Sequence, residues 1–118
     1  MIEICRGDVV WVNCSPSVGV EPRKLRTCVI VSNNVANRFG AAVTVVPTQH
    51  WTKERALRLY MVDLRPPRSS MDVHRVANCS MVMTYDRRRV VRAEGSLAKE
   101  ALAELDEALA LHLGLVPL

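Results

Sequence analysis

Two segments of this 118-residue chain carry side chains that could act on a phosphodiester bond. The first spans residues 15–26 and contains one acid and three bases, Glu21, Arg23, Lys24 and Arg26. The second follows an apolar run at residues 43–46 and contains Thr48, Gln49 and His50. If the segments meet, they place a cation, a carboxylate and a hydroxyl around one point. These groups suit cleavage of RNA by its own 2′-hydroxyl, in which a well-placed donor to the phosphorus oxygens contributes roughly 3–4 kcal/mol.

Arg26 is the candidate for direct contact with phosphate, because a guanidinium offers two parallel hydrogen bonds and stays charged at any working pH. Taken alone it is a weak indicator, since an Arg at a strand edge is more often a surface salt-bridge partner. Thr48, directly after Pro47, is likewise more often a turn-forming hydroxyl. The chemistry needs no metal, and the sequence lacks clustered metal ligands and the common nucleotide-binding, zinc-protease and serine-hydrolase motifs. We therefore expect neither metal nor cofactor.

The charge of the chain is unevenly distributed. Residues 1–95 contain fifteen Arg and Lys against eight Asp and Glu, whereas residues 96–118 contain one Lys against four acids. A basic body with an acidic end suits a polyanionic partner on one face, and a solvated basic surface is the alternative interpretation. Length and an apolar content of 49% predict a single globular domain over residues 1–118.

The four cysteines, at positions 5, 14, 28 and 79, show neither C-x-x-C spacing nor a zinc-finger arrangement with the histidines. We expect reduced thiols that fill strand positions. The N-terminus lacks the charged and apolar regions of a signal peptide, and no apolar run approaches the roughly 18 residues of a membrane span. These features predict a cytoplasmic protein with no membrane partner.

Apolar alternation and β-branched runs predict five or six short strands. We place them at residues 8–14, 27–31, 43–46, 58–64, 73–83 (one or two strands) and 88–94, with a helical turn at 34–39 that Gly40 closes. Pro47 should end the third strand, because proline cannot donate to a central ladder, and residues 48–56 should form a polar connection. The loop at 15–25 is longer than most hairpin connections, and such loops are often functional.

The C-terminal segment is the clearest helix in the sequence. Four leucines, Leu102, Leu105, Leu109 and Leu113, form one apolar stripe at helical spacing, and Gly114 supplies the stop. No other helix is long enough for a βαβ alternation, which argues against a parallel sheet. The pattern predicts a mainly β fold, a small antiparallel β-barrel with one C-terminal helix.

The order of several short motifs resembles the MazF/PemK toxins along nearly the whole chain. The resemblance is carried by R-G-D-V-V-W-V at residues 6–12, Pro16, G-V-E at 19–21, Arg26 and V-I-V-S-N at 29–33. Residues 43–48 resemble the family's third strand and the loop after it. Gly95 and residues 102–109 resemble its final strand end and C-terminal helix. The motifs are specific through their order and spacing together.

The resemblance implies an SH3-like barrel of the CcdB/MazF type, a homodimer, and sequence-specific cleavage of single-stranded RNA that leaves a cyclic phosphate and a 5′-hydroxyl. It implies an mRNA interferase, the toxin of a toxin–antitoxin pair. A MazE-like antitoxin would inhibit it by placing a flexible acidic segment in the RNA groove. By position, Arg26 corresponds to the family's catalytic Arg, and Glu21 to the nearby acid that orients Arg26 or acts as the base.

The sequence departs from the family pattern at two positions. Thr27 stands where the family usually has Pro, which we expect to affect loop stiffness more than chemistry. The family reads P-x-T at its catalytic Thr, whereas here Thr48 follows Pro47 directly. Either Thr48 or Gln49 fills the catalytic position, and we favour Thr48; a hydroxyl and an amide both donate to phosphate.

Recognition of RNA bases would come from polar and aromatic residues beside the active site. The candidates are Arg23, Lys24, Asn33, Asn37, Gln49, His50, Trp51, Arg58 and Asn78. Single-stranded bases are read on their edges and by stacking, and Trp51 is a candidate stacking platform. Trp11 lies within a strand, where we expect it in the core or the dimer interface, and we expect a structural role for His74.

Two other functions are compatible with the sequence. The gyrase poison CcdB has the same barrel but binds its protein target through a C-terminal Trp-Gly-Ile ending, and this chain ends in Leu115-Val116-Pro117-Leu118. The altered segment at residues 47–49 leaves open an inactive remnant that binds RNA without cutting it.

Overall fold

The computed structural model describes residues 2–118, which form seven strands and three helices. The strands are β1 (Asp8–Asn13), β2 (Leu25–Ile30), β3 (Ala42–His50), β4 (Met61–Asp63), β5 (Arg75–Asn78), β6 (Met83–Asp86) and β7 (Val90–Ser96). The helices are α1 (Asn34–Phe39), α2 (Lys53–Ala56) and α3 (Lys99–His112). Short 3₁₀ turns lie at Cys79–Met81 and Arg87–Arg89.

Antiparallel pairing joins six of the strands in the order β4-β5-β3-β2-β1-β7. β3 also pairs with β6 through residues 42–45, whereas its pairing with β5 uses residues 48–50. The two ends of the order meet where the Ser70 N–H donates to the Ser96 carbonyl at 3.0 Å and Ser69 bridges to Leu97. This contact closes the sheet into a small barrel. The predicted antiparallel barrel with a C-terminal helix is confirmed.

Both faces of β1, β2 and β3 are buried, because their side chains alternate between two apolar clusters. The cluster beneath α3 takes Val9, Val29 and Val46. The second cluster takes their neighbours along the chain, including Val10, Ile30 and Val45. Strands that are buried on both faces read as continuous apolar runs, which is why these three were recognisable in the sequence.

Helix α3 covers the first cluster with Ala101, Leu105, Ala108 and Leu109. The predicted leucine stripe is only partly right, since Leu113 is 55% exposed and alanines form half of the buried face. Gly114 ends the helix with a φ of 71°, as predicted. The Leu115 N–H then donates to the Ala110 carbonyl at 2.9 Å, the bond of a Schellman cap.

Several boundaries predicted from the sequence are wrong. β3 continues through Pro47, which lies between the β6 pairing that ends at Val45 and the β5 pairing that begins at Thr48. A residue without an N–H is tolerated where the partner strand changes. The predicted connection at 48–56 therefore begins as strand and contains α2. The predicted strand at 58–64 shrinks to β4, and β7 starts two residues later than predicted.

All four cysteines are free thiols, and Cys14, Cys28 and Cys79 are buried. Cys28 lies within β2, whereas Cys79 lies in a 3₁₀ turn beneath α3. No helix among residues 2–118 combines the length and apolarity needed to cross a bilayer.

Candidate active site

Arg26 lies on β2 between two cavities. The smaller, of about 260 Å³, is bordered by the loop before β2 and by β3, including Glu21, Arg23 and Gln49. The larger, of about 530 Å³, is bordered by residues that include Trp11, Thr27, His50 and Arg75. Arg26 is half-buried and borders both. The two chemistry-bearing segments therefore meet at Arg26, as the sequence predicts.

Because side chains alternate along a strand, neighbouring residues of β3 point to opposite sides. Gln49 borders the smaller cavity, together with Glu21 and Arg26. The Thr48 side chain points the other way, towards Thr27 and Arg75. Of the two residues that compete for the family's catalytic Thr position, Gln49 is the one that shares a cavity with Glu21.

Thr48 is completely buried, and its hydroxyl already has two partners. The hydroxyl lies 2.5 Å from that of Thr27 and accepts a hydrogen bond from Arg75 Nε at 2.7 Å. The Thr48 carbonyl oxygen accepts from Arg26 Nη1 at 3.1 Å and from Arg75 Nη2 at 2.9 Å. One residue thus positions two guanidinium groups.

The two guanidinium groups are held close together without a carboxylate between them. Their bonded nitrogens lie 3.1 and 2.9 Å from one oxygen, so they are at most 6.0 Å apart. At an effective dielectric constant of about 20, unit charges at that separation repel by roughly 3 kcal/mol. Burial, Arg26 and Arg55 all lower the pKa of Arg75. Within residues 2–118 neither Arg26 nor Arg75 forms an ion pair.

Arg26 also has an unsatisfied hydrogen-bond donor, because its Nε is buried without a partner among the residues described. A buried polar group without a partner is costly and calls for an explanation such as a ligand. An anion bound at the accessible part of the guanidinium group would reduce the repulsion between the arginines. In the same part of the chain, no three His, Cys, Asp or Glu side chains are grouped as metal ligands.

Glu21 lies in the smaller cavity without an ion pair to Arg26 in the described part of the chain. Its Oε1 accepts from the Val18 N–H at 2.8 Å, which shapes the loop. Gln49 Oε1 accepts from Asn78 Nδ2 at 3.3 Å, so Asn78 supports one wall of this cavity.

His50 borders the larger cavity, and its carbonyl accepts from Arg55 Nη1 at 2.8 Å. Trp51, which is 38% exposed, stacks one ring face on His74 with the ring centroids 4.9 Å apart. His74 Nε2 lies 2.7 Å from Asp63 Oδ1, which gives this histidine the expected structural contacts. A base could stack only on the opposite face of the Trp51 ring.

Six predicted base-reading residues border neither cavity, namely Lys24, Asn33, Asn37, Trp51, Arg58 and Asn78. Asn33 caps α1 by accepting from the Ala36 N–H at 2.8 Å, and Asn37 is completely buried against Ser32. The amide groups of these two residues order α1 and the turn before it. Lys24 and Arg58 are exposed but lie outside the cavity walls.

Sequence analysis missed Arg75, and of its two expectations for Trp11 the core is wrong, whereas the dimer interface stays a prediction. Arg75 pairs with His50 in the β3–β5 ladder, and a local pattern does not reveal the register of two distant strands. Trp11 is half-buried in the wall of the larger cavity, where its Nε1 donates to Glu94 at 2.6 Å. The Arg92 guanidinium lies 4.8 Å from the centre of its ring. Trp11 is therefore a cavity residue rather than a core residue.

The fold is a small antiparallel barrel. Its two cavities, which Arg23, Arg26 and Arg75 border, form what we call the cationic cleft. The chain matches the family described as PemK-like, MazF-like toxin of type II toxin–antitoxin system over residues 5–113, and it belongs to that family. It is 34% identical over 116 residues to the endoribonuclease MazF9 of Mycobacterium tuberculosis, which covers 93% of this chain and 96% of the relative. It is 27% identical over 111 residues to the endoribonuclease EndoA of Bacillus subtilis, with coverages of 94% and 95%.

Solved structures have the same fold. MazF from Deinococcus radiodurans superposes with a TM-score of 0.82 at 22% identity, covering 97% of this chain and 99% of that one. A mycobacterial endoribonuclease in complex with its cognate antitoxin gives a TM-score of 0.79 at 22% identity, with coverages of 98% and 99%. The predicted family and the predicted barrel type are confirmed.

Proposed function

We propose that this protein is a sequence-specific, metal-independent endoribonuclease that cleaves single-stranded RNA through attack by the 2′-hydroxyl. It would act as the toxin of a toxin–antitoxin pair. The observation that carries the proposal is Arg26, a guanidinium without an ion pair in the described chain that lies between two cavities and has an unsatisfied, buried Nε. Family membership and the names of the relatives, which are endoribonucleases, support it.

In the proposed reaction a base takes the proton of the 2′-hydroxyl, and the 2′-oxygen attacks the adjacent phosphorus. The bond from phosphorus to the 5′-oxygen breaks, and that oxygen takes up a proton from water. A 2′,3′-cyclic phosphate and a 5′-hydroxyl form. Arg26 stabilises the charge that develops on the non-bridging oxygens, which is typically the largest contribution in such a site. Because Glu21 makes no ion pair with Arg26, we assign it the role of base rather than that of orienting the arginine. Gln49, in the same cavity, donates to phosphate or to a base edge.

The RNA would follow the cationic cleft, with bases read by the predicted residues that border or support it, namely Arg23, Gln49, His50 and Asn78. A further base would stack on Trp51, which follows His50 in the chain. Lys24 and Arg58 would contact phosphates farther along the strand. The protein would act in the cytoplasm as a homodimer. The acidic flexible segment of an antitoxin would bind in the same cleft, a proposal supported by the related structure solved with its cognate antitoxin.

The proposal is tested by cleavage of a long single-stranded RNA in the presence of EDTA. We expect discrete fragments that end at one short sequence, and no cutting of the equivalent DNA, which lacks the 2′-hydroxyl. Arg26→Ala should lower the rate by about 10²-fold or more, because a donor to the phosphorus oxygens is lost.

Arg88→Gln is the matched control, since it removes the same charge from a side chain that is 90% exposed and paired with Asp86. It should cut like the wild type. RNA that is bound but left intact by the wild type would contradict the proposal and favour an inactive remnant. Intact RNA together with inhibited gyrase would favour a protein-binding toxin.

A further inference from the structure

Arg75 is the charged side chain of the cleft that the reaction described above does not use. It lies on β5, borders the larger cavity and is half-buried. Two of its three guanidinium nitrogens donate to a single residue, Nε to the Thr48 hydroxyl and Nη2 to the Thr48 carbonyl. Such a two-point contact fixes the plane of the guanidinium group. The third nitrogen, Nη1, has only a long contact of 3.5 Å with His50 Nδ1, which a phosphate oxygen could replace.

The Thr48 hydroxyl is committed to this contact. Thr48 has no exposed surface, and its hydroxyl lies between Arg75 Nε and the Thr27 hydroxyl. A hydroxyl offers one donor and two acceptor positions, and two partners already occupy most of them. Contact with a phosphate would require Thr48 to leave both partners and reach the surface.

The distance between the two arginines fits one phosphate group. Arg26 Nη1 and Arg75 Nη2 are at most 6.0 Å apart through the oxygen that they share. Charge-assisted hydrogen bonds to phosphate oxygens are about 2.8 Å long, so a single phosphate can accept from both groups.

We propose that Arg75 is a second phosphate-contacting residue of the site, and that Thr48 is a positioning residue which holds Arg75. This inference rests on the proposed ribonuclease function. It adds a guanidinium from β5 to the phosphate donors of the site. Arg26 and Arg75 then bind the non-bridging oxygens of the same scissile phosphate from two sides.

The test is a double-mutant cycle on a short RNA that contains the wild-type cleavage sequence. Arg75→Gln should lower kcat by about 10²-fold, the usual effect of removing one donor to a developing oxyanion. Thr48→Val keeps the carbonyl but removes the hydroxyl, so it should cost about 10-fold in the wild-type background and less than about 2-fold in the R75Q background. Arg75→Lys should recover part of the loss, because the positive charge is retained. Arg88→Gln again serves as the charge-matched control.

A phosphorothioate at the scissile phosphate separates contact from a merely structural role. The rate penalty of sulfur substitution in one stereoisomer should be smaller in R75Q than in the wild type, because the contact to that oxygen is already lost. Equal penalties in both proteins, or R75Q turnover within about 3-fold of wild type, would refute the role of Arg75. An equal effect of Thr48→Val in both backgrounds would show that Thr48 contacts the RNA itself.

Failure of the proposed function is distinguishable from failure of this inference. If the wild type does not cut RNA, binding of a single-stranded RNA of mixed sequence still tests the phosphate contact. Arg75→Gln should then weaken binding and reduce the salt dependence by about one phosphate contact. Unchanged binding would overturn the inference, and circular dichroism on each variant confirms that the barrel is intact.

Discussion

Two buried threonines on neighbouring strands contact each other inside this barrel. The hydroxyls of Thr27 and Thr48 contact each other at 2.5 Å across β2 and β3, and both residues are buried. Thr27 is the residue that replaces the proline usual in the family. We expected that change to affect loop stiffness, but the structure shows a buried side-chain contact with the residue that holds both arginines.

Replacing Thr27 with Val should therefore reduce the free energy of unfolding. The change keeps the shape but leaves a buried hydroxyl without one partner, which costs about 1–3 kcal/mol. Urea denaturation measures the effect. The matched control is Thr84→Val, whose hydroxyl contacts Thr44 at 2.9 Å on the exposed face and should matter little. Equal losses for the two variants would contradict this account.

The cysteines differ in reactivity for a physical reason. Cys5 is exposed, whereas Cys79 is buried beneath α3, where burial and the nearby Asp106 raise its pKa to about 12. The thiolate is the reactive form, so Cys79 stays protonated and inert at pH 8. Native alkylation with iodoacetamide followed by mass spectrometry should label Cys5 within minutes and leave Cys79 unlabelled until denaturant is added. Equal labelling rates would contradict the burial of Cys79.

At the scale of elements, the sequence predicts what depends on local pattern. Apolar alternation identified β1 to β3 because both of their faces are buried, and leucine spacing identified α3. Local pattern could not predict that β3 continues past Pro47, because that depends on the change of partner from β6 to β5. The same limit applies to the site. Arg26, Glu21 and Gln49 were found through their motif, whereas Arg75 reaches Thr48 only through long-range pairing.

Helix α3 should contribute to stability through one face only. Leu105 is completely buried, so Leu105→Ala should lower the free energy of unfolding by about 2–5 kcal/mol. Leu113 lies in the last turn of the same helix with 55% of its surface exposed, and Leu113→Ala should change it by less than about 0.5 kcal/mol. Chemical denaturation of both variants measures the difference. A large effect at Leu113 would indicate that its surface is covered in solution.

At the scale of the molecule, some arginines are neutralised by ion pairs and others are not. Acids of α3 pair with the basic body, Glu104 with Arg68 and Asp106 with Arg6. These pairs lie on the side of the molecule that carries α3. Among residues 2–118, Arg26 and Arg75 in the cleft have no acidic partner. Part of the excess positive charge that the sequence shows thus lies where RNA is proposed to bind.

Closure of the barrel depends on the absence of a side chain at Gly95. A Cβ at this position would lie 1.8 Å from Ser70 Oγ, and Ser70 also accepts from the Ser96 N–H at 2.7 Å. Gly95→Ala should therefore destabilise the fold by about 1–3 kcal/mol.

Thermal unfolding of Gly95→Ala, Ser70→Gly and the double variant measures this contact. Because Ser70→Gly removes the clashing atoms, the double variant should lose less than the sum of the two single losses. Strict additivity would show that β7 and the segment after β4 do not meet in solution.

The Thr48 carbonyl makes the timing of folding relevant to toxicity. It joins Arg26, 22 residues before it, to Arg75, 27 residues after it, so the two charges converge only once β3 has paired with both β2 and β5. Contacts between distant segments assemble slowly compared with local ones. A nascent chain on the ribosome, in which β5 has not yet been synthesised, would lack Arg75 and therefore the complete proposed site. Only the fully folded barrel would therefore be toxic to the host. It is also the form that an inhibitor would recognise.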